Sequence, residues 1–290
     1  MHVTFLGTSA GEGYPGFWCD CPHCRYAREH GGRNLRGNSC ALVDDALLLD
    51  MNDHFFVMVN RLGLRLDRIE HLLVTHPHVD HFTPWKLTQR AVPADLSDLS
   101  EDQLKKRISP NFTPLPRLHV YGNRFVQAEM ARVPRLLDAP DAFGLAFHLI
   151  TEGQTFSAGP YTVTAVRANH GPEPGFAFNY ILQRDGKTLL YASDTGGYDA
   201  DMLAVLERFR FDCVILEGTF GLGASVPSHM SLEKNRAMLR YLNEKGLWAR
   251  EPNLHITHIC PHWAPPHDQY APMLAAEGME AAYDGKRIDF

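Results

Sequence analysis

Short apolar runs alternate with amphipathic stretches along most of this chain. Val3–Leu6 reads as a strand that stops at Gly7, and Ala46–Asp50 as a second strand ending on an acidic residue. Asn52–Gly63 places Phe55, Phe56, Val59 and Leu62 at helical spacing, which predicts a helix with these residues near one face. Leu72-Leu73-Val74 predicts a short buried strand that runs straight into a histidine-rich segment, where Pro77 excludes regular structure. Leu118–Tyr121 resumes as a strand. Farther on, Tyr161–Ala168, Phe178–Gln183 and Lys187–Ala192 read as strands, the last two joined by the hairpin signal Asp185-Gly186. Asp199–Arg208 predicts a helix and Cys213–Leu216 a buried strand. Ser231–Lys245 predicts a helix capped by Ser231 and stopped by Gly246. Leu254–Thr257 is a further strand, and Lys286–Phe290 can close a sheet edge.

Residues 84–118 interrupt this rhythm. The stretch is rich in Pro, Ser and Asp, and Ser100-Glu101-Asp102-Gln103 fits a capping box with Ser100 as N-cap. It reads as an insertion, a lid or a wall of a substrate site. No repeat of solenoid length and no low-complexity linker is present, so one domain over 1–290 is expected. Two strand-rich halves, each followed by helices, predict a sheet sandwich with helices outside.

Composition narrows the functional classes. A chain of 290 residues, 44% hydrophobic, can bury a large core without disulfides. The formal net charge is −6, against the basic balance of a general nucleic-acid binder. The local cluster Lys105-Lys106-Arg107 reads as a solvated helix face. No apolar run approaches transmembrane length, and the first residues lack the pattern of a signal peptide. A cytoplasmic protein is expected. Of six cysteines, three crowd into Cys19-Asp20-Cys21-Pro22-His23-Cys24, which favours a metal site over a disulfide framework.

The densest chemistry is His76-Pro77-His78-Val79-Asp80-His81. From the composition, chance yields this pattern roughly 0.003 times. Imidazole and carboxylate suit zinc, manganese or iron. One loop cannot complete two coordination spheres, so further ligands must come from other strand ends. His170, Asp194 and His258 each follow a predicted strand.

His76-x-His78-x-Asp80-His81 followed by His170, Asp194 and His258 resembles the metallo-β-lactamase superfamily over nearly the whole chain. The resemblance implies an α/β fold, a four-layer αββα sandwich with metals at one sheet edge. It implies that His76, His78 and His170 bind one ion and Asp80, His81 and His258 a second, with Asp194 bridging. Asp50 matches an early acidic position of the family and would orient a ligand histidine.

Gly7-Thr8-Ser9 with Cys19-x-Cys21-x-x-Cys24 is similar to the phosphodiesterases of the carbon–phosphorus lyase (phosphonate-utilisation) pathway. That resemblance implies a small, open-chain or cyclic phosphodiester substrate and two divalent ions, Mn or Zn. It also implies a structural Zn held by Cys19, Cys21, Cys24 and a late histidine. His262 is the expected fourth ligand, with Cys260 and His23 as alternatives. The same family has a non-ligand histidine where His229 stands, so His229 is expected to act on substrate or leaving group. Asp80 would hydrogen-bond the attacking metal-activated water while ligating. A homodimer is an expectation from resemblance alone. Two other readings stand beside this one. A related hydrolase could act on a lactone, thioester or RNA, although no basic Gly-rich arm of the tRNA-processing type is present. Gly11-Glu12-Gly13-Tyr14-Pro15-Gly16-Phe17-Trp18-Cys19 also resembles the start of pyrroloquinoline quinone biosynthesis protein B, a cofactor-related family.

Overall fold

In the computed structural model, residues 1–90, 100, 102, 115–224 and 226–290 are described. Two seven-stranded sheets face each other. The first contains β1 (His2–Gly7), β2 (Cys40–Val43), β3 (Leu47–Leu49), β4 (His71–Leu73), β5 (Leu118–Gly122), β6 (Leu145–Leu149) and β14 (Arg287–Asp289), in the order β14-β1-β2-β3-β4-β5-β6. The second contains β7 (Thr155–Ala158), β8 (Tyr161–Arg167), β9 (Phe178–Arg184), β10 (Lys187–Ala192), β11 (Cys213–Glu217), β12 (Leu254–Thr257) and β13 (Glu280–Ala281), in the order β13-β12-β11-β10-β9-β8-β7.

Strand side chains alternate between faces, and here both faces are covered. On β10, Leu189 and Tyr191 point into a core shared with Val3, Phe5, Leu47 and Leu49 of the first sheet. Leu190 and Ala192 point the other way, against Leu232, Met238 and Leu242. The helix Leu232–Glu244 therefore covers the outer face of the second sheet, together with His267–Ala276. Phe55–Arg61 and Arg124–Ala131 cover the outer face of the first through Phe55, Val59, Val126 and Met130. The layers are helix, sheet, sheet, helix, as expected for a metallo-β-lactamase sandwich. Each fully buried Leu, Phe or Val contributes roughly 1.5–3 kcal/mol.

The strands β10 and β12 and the helix cap at Ser231 lie where the sequence places them. Asp185 and Gly186 both take positive φ, 50° and 72°, the requirement of a two-residue hairpin turn. One expectation fails. The helix predicted over Asn52–Gly63 is only Phe55–Arg61, and it buries Phe55 and Val59 while leaving Phe56 47% and Leu62 40% exposed. Asn52 stays outside it and accepts from the Phe55 amide at 3.2 Å. Consecutive helix residues stand about 100° apart, so Phe56 turns away from the face that Phe55 and Val59 bury. The proposed capping box at Ser100–Gln103 and the basic cluster 105–107 fall largely or wholly outside the described residues, as does most of 84–118. Among the described residues no helix is long and apolar enough to cross a membrane.

The topology positions the site. Strands β3 and β4 are parallel, and so are β10, β11 and β12; β8 runs with β10 because both are antiparallel to β9. Their carboxyl ends therefore open on one edge of the sandwich, the place where α/β sheets usually carry ligands. Among the bonds that join the sheets there, the Tyr180 hydroxyl donates to Val74 O at 2.8 Å and the Phe178 amide to Thr75 O at 3.0 Å.

Candidate metal centre

The loop after β4 delivers His76, His78, Asp80 and His81 to this edge. The ends of β8, β10 and β12 deliver His170, Asp194 and His258. All seven side chains meet. Ligand atoms of His76, His78, His170 and Asp194 lie within 4.8 Å of one another, and those of Asp80, His81 and His258 form a second such group.

Asp194 stands between the groups. Its Oδ2 lies 3.7 Å from His76 Nε2 and 3.4 Å from His170 Nε2. Its Oδ1 lies 3.3 Å from His81 Nε2 and 2.9 Å from His258 Nε2. On the far side of the second group, Asp80 Oδ2 lies 3.4 Å from His81 Nε2 and 3.5 Å from His258 Nε2.

The outer ring nitrogens show what the inner ones are for. His81 Nδ1 donates to Asp50 at 2.8 Å, His258 Nδ1 to the Thr219 hydroxyl at 2.8 Å, and His170 Nδ1 to Ser228 O at 3.1 Å. His76 Nδ1 contacts the Thr75 hydroxyl at 3.1 Å, which itself is bonded to Asp50. With those protons spent outward, the Nε2 lone pairs point inward at carboxylate oxygens and at each other. His76 Nε2 and His170 Nε2 each come within 3.0 and 3.1 Å of His78 Nδ1, and His81 Nε2 within 3.1 Å of His258 Nε2. Acceptors converging without donors demand positive charge, so the residues fit two divalent cations.

The electrostatics say the same. Burial opposes a charged imidazole, yet Asp194 and Asp80 overcome it and push His258 up to about 10 and His81 well above its ordinary range. Burial and neighbouring imidazoles hold His76, His78 and His170 below theirs, ready to coordinate as neutral ligands. Two of the positioning residues sit in strained backbone: Asp50 has φ 63° and His258 φ 54°. For residues with a Cβ this left-handed region is costly, and it is tolerated where a side chain must be aimed.

His229 lies beside this centre. It sits just before the Ser231 cap, and a ring nitrogen falls within 4.8 Å of the ligand atoms of Asp194 and His258. Its Nδ1 bonds Glu217 Oε1 at 2.8 Å. Burial disfavours a charged His229, but the hydrogen bond and charge of Glu217 raise it above the usual imidazole range. Glu217 is wholly buried and also accepts from the amides of Thr195 at 3.2 Å and Thr219 at 2.8 Å. Sequence reasoning missed Glu217. The signal available was an acid closing the apolar run Cys213–Leu216, as Asp50 closes Leu47–Leu49. Lys234 anchors the same loop, its ammonium donating to the carbonyls of Gly196, Val226 and His229.

The thiol loop follows Gly11 and Glu12, which line the cleft. Cys19, Cys21 and His262 have ligand atoms within 4.8 Å, with Cys19 Sγ 3.8 Å from His262 Nδ1. Cys24 neighbours both thiols, and its sulfur accepts from the Gly16 amide at 3.3 Å; burial pushes its thiol up to about 12. Cys21 stands at the N-cap position and Cys24 in the first turn of the helix Pro22–His30, whose positive end suits thiolates. Of the alternatives, His23 is turned to Pro261 O at 2.8 Å. Cys260 groups instead with Glu12 and His262 and lines the cleft. The geometry brings His262 to Cys19 and Cys21, while Cys24 stays outside that group.

Comparison with known proteins places these features. Residues 45–259 match the profile described as the beta-lactamase superfamily domain. The chain is 25% identical over 315 residues to coenzyme PQQ synthesis protein B of Azotobacter vinelandii, covering 100% of both chains. Its fold is similar to that of zinc-bound PqqB from Methylobacterium extorquens, with TM-score 0.75 and 21% identity over 100% of each chain. It is also similar to a diphosphatase of the PhnP family, with TM-score 0.70 and 19% identity over 100% of this chain and 96% of the other.

Proposed function

The chain belongs to the beta-lactamase superfamily, and from that premise we propose that it is a dinuclear metal-dependent hydrolase of a small phosphodiester, open-chain or cyclic. The observation that carries this reading is Asp194, whose two oxygens each face a separate histidine group. A bridging carboxylate between two nitrogen-rich sets is the arrangement used in two-metal hydrolysis of phosphate esters.

Two divalent ions, Mn or Zn, held by those groups would polarise a phosphoryl oxygen and bring the pKa of a water toward neutrality. The chain's own residues do the rest. Asp80 faces the second group and lines the cleft, where it accepts a hydrogen bond from the attacking water. His229, fixed on its Nδ1 side by Glu217, keeps a proton on Nε2 for a phosphoryl oxygen or the leaving oxygen. Asp50 holds His81 in the tautomer that presents Nε2. The Cys19, Cys21, Cys24 and His262 site takes a zinc closed to substrate and braces the loop that carries His258. We place the enzyme in the cytoplasm as a single domain, a homodimer, acting on a small molecule and not on nucleic acid.

The test is a panel of chromogenic phosphodiesters, phosphomonoesters and lactones with added Mn²⁺ or Zn²⁺. Metal-dependent turnover of diesters is expected, and His229→Ala should retain both active-site ions while losing ~10²–10⁴ of the rate. Preference for a lactone or a monoester overturns the assignment.

A second reading draws on the full-length likeness to coenzyme PQQ synthesis protein B. It makes the chain a cofactor-biosynthesis protein in which the histidine centre does not hydrolyse phosphate. Metal counting separates the two. Three ions per chain favour the hydrolase, and one ion in total favours the second reading.

A further inference from the structure

The cleft beside the metal centre is about 560 Å³, and its two ends differ in chemistry. At the metal end lie His78, Asp80 and Asp194. At the outer end a run of near-parallel rings leads to the surface. His258 and His229 lie 5.9 Å apart at 13°, His229 and Phe220 6.0 Å apart at 29°, and Phe220 and Trp263 5.2 Å apart at 22°. All four line the cleft.

Trp263 ends this wall, held firmly yet 44% exposed. Its amide donates to Cys260 O at 3.3 Å, and its carbonyl accepts from Leu222 at 2.9 Å. Gly223 lies against the indole so closely that a Cβ there would come within 2.5 Å of its Cε3. An indole fixed on both its backbone and its ring, yet open to a cleft, loses little entropy on meeting a planar partner.

Charge narrows the partner further. Among the described residues lining the cleft there is no Lys or Arg, and Glu12 adds a negative charge at the rim. Among the described lining residues, the metal end and the His229 beside it are what can neutralise an anion. A substrate arm bearing further phosphates would meet Glu12 with no cation to answer it.

Building on the phosphodiesterase reading, we propose that the substrate is a monoanionic phosphodiester with one uncharged, planar aromatic or heteroaromatic arm, seated on Trp263 and Phe220. The phosphoryl group lies at the metal end and the ring at the outer end of the same cleft.

The experiment compares ethyl para-nitrophenyl phosphate with phenyl para-nitrophenyl phosphate on the metal-loaded protein. Both release the same leaving group, and each kcat/KM is divided by the hydroxide-catalysed rate. The phenyl diester should be favoured by roughly five- to hundred-fold, the scale of ring-on-aromatic stacking. Trp263→Leu should bring that ratio close to one, and Trp263→Phe should keep most of it. A nucleoside para-nitrophenyl diester should outrun its counterpart carrying an extra terminal phosphate. In case a variant fails to fold or load metal, the unmodified protein gives a second measurement: phenylphosphonate should inhibit more tightly than ethylphosphonate. Equal turnover of the two diesters, or a preference that survives Trp263→Leu, overturns the aromatic arm while the phosphodiesterase reading stands. No turnover of either diester with two ions bound overturns both.

Discussion

His229 Nδ1 and Glu217 Oε1 are 2.8 Å apart, and Glu217 is wholly buried. The pair fixes the imidazole, and against the opposing effect of burial the Glu217 carboxylate raises its pKa. Glu217→Gln retains an acceptor but removes the charge, so the His229 pKa falls. If His229 must be protonated to act, activity falls above its pKa, and the basic limb of the pH–rate profile moves to lower pH in the variant. Metal content should not change. A profile that stays in place means that His229 does not serve as an acid.

Asp194 joins the two histidine groups; Asp50 supports His81 directly and His76 through the Thr75 hydroxyl. Asp194→Ala should strip active-site metal and abolish turnover, as should His76→Ala. Asp50→Asn should weaken metal binding by about 10- to 100-fold, the usual effect of losing an outer partner. Metal titration read by calorimetry and elemental analysis distinguishes these outcomes. Unchanged affinity for both ions in Asp50→Asn would contradict this supporting role.

Gly196 follows Asp194 closely and packs under the His229 loop. A Cβ on Gly196 would come within 1.4 Å of Pro227 O. Gly196→Ala must push the 226–229 segment away, and kcat should fall by at least ten-fold, since small misplacements of a catalytic group are costly. Metal stoichiometry should hold. Unchanged kcat would show that the position of this loop is immaterial.

Cys21→Ser removes one thiolate from the proposed zinc site of Cys19, Cys21, Cys24 and His262. The variant should lose one zinc per chain and a substantial part of its thermal stability, because a structural zinc contributes directly to folding. The surviving folded fraction should keep its active-site ions. Elemental analysis beside a thermal melt checks this, and a stable variant with full zinc would rule out the thiol loop as a metal site.

His255 gives an acid-sensitivity expectation away from the active centre. Burial, and then the Lys286 ammonium beside it, push its pKa down to about 4 from 6.5. Lys286 Nζ lies 3.3 Å from Nδ1, and Nε2 donates to Asn253 Oδ1 at 2.9 Å, so the folded chain holds the neutral ring. The unfolded chain takes up a proton first as pH falls. The contribution of His255 is therefore complete above pH 6.5 and lost on acidification toward 4, at a cost of roughly 3 kcal/mol. His255→Gln should flatten the fall of melting temperature across that window. An identical pH profile in the variant would refute the assignment.

Much of the fold was legible because buried strands leave continuous apolar runs. Lys187–Ala192 and Leu254–Thr257 were read to the residue. Cys40–Val43 went unread, a short run among ordinary residues, and so did the helix His267–Ala276, where an internal Pro272 hides the helical pattern. The ligand histidines were legible because four metal-capable residues in six are rare. Glu217, Thr75 and Thr219 were not, since a lone acid or hydroxyl at a strand end is common, and only its partner reveals its work. The aromatic wall was equally hidden: Phe220 and Trp263 are far apart in sequence and meet through two loops.

By itself, the sequence determined which side chains were available: a histidine loop behind one strand, three thiols in one turn, and acids at the ends of apolar runs. The tertiary structure decided their partners. It turned both oxygens of Asp194 to different histidine groups, chose His262 over His23 beside the thiols, and set Glu217 against His229. The reason is physical. Local spacing fixes which residues share a loop, whereas contacts between distant loops depend on sheet register and layer packing, which the whole chain settles together.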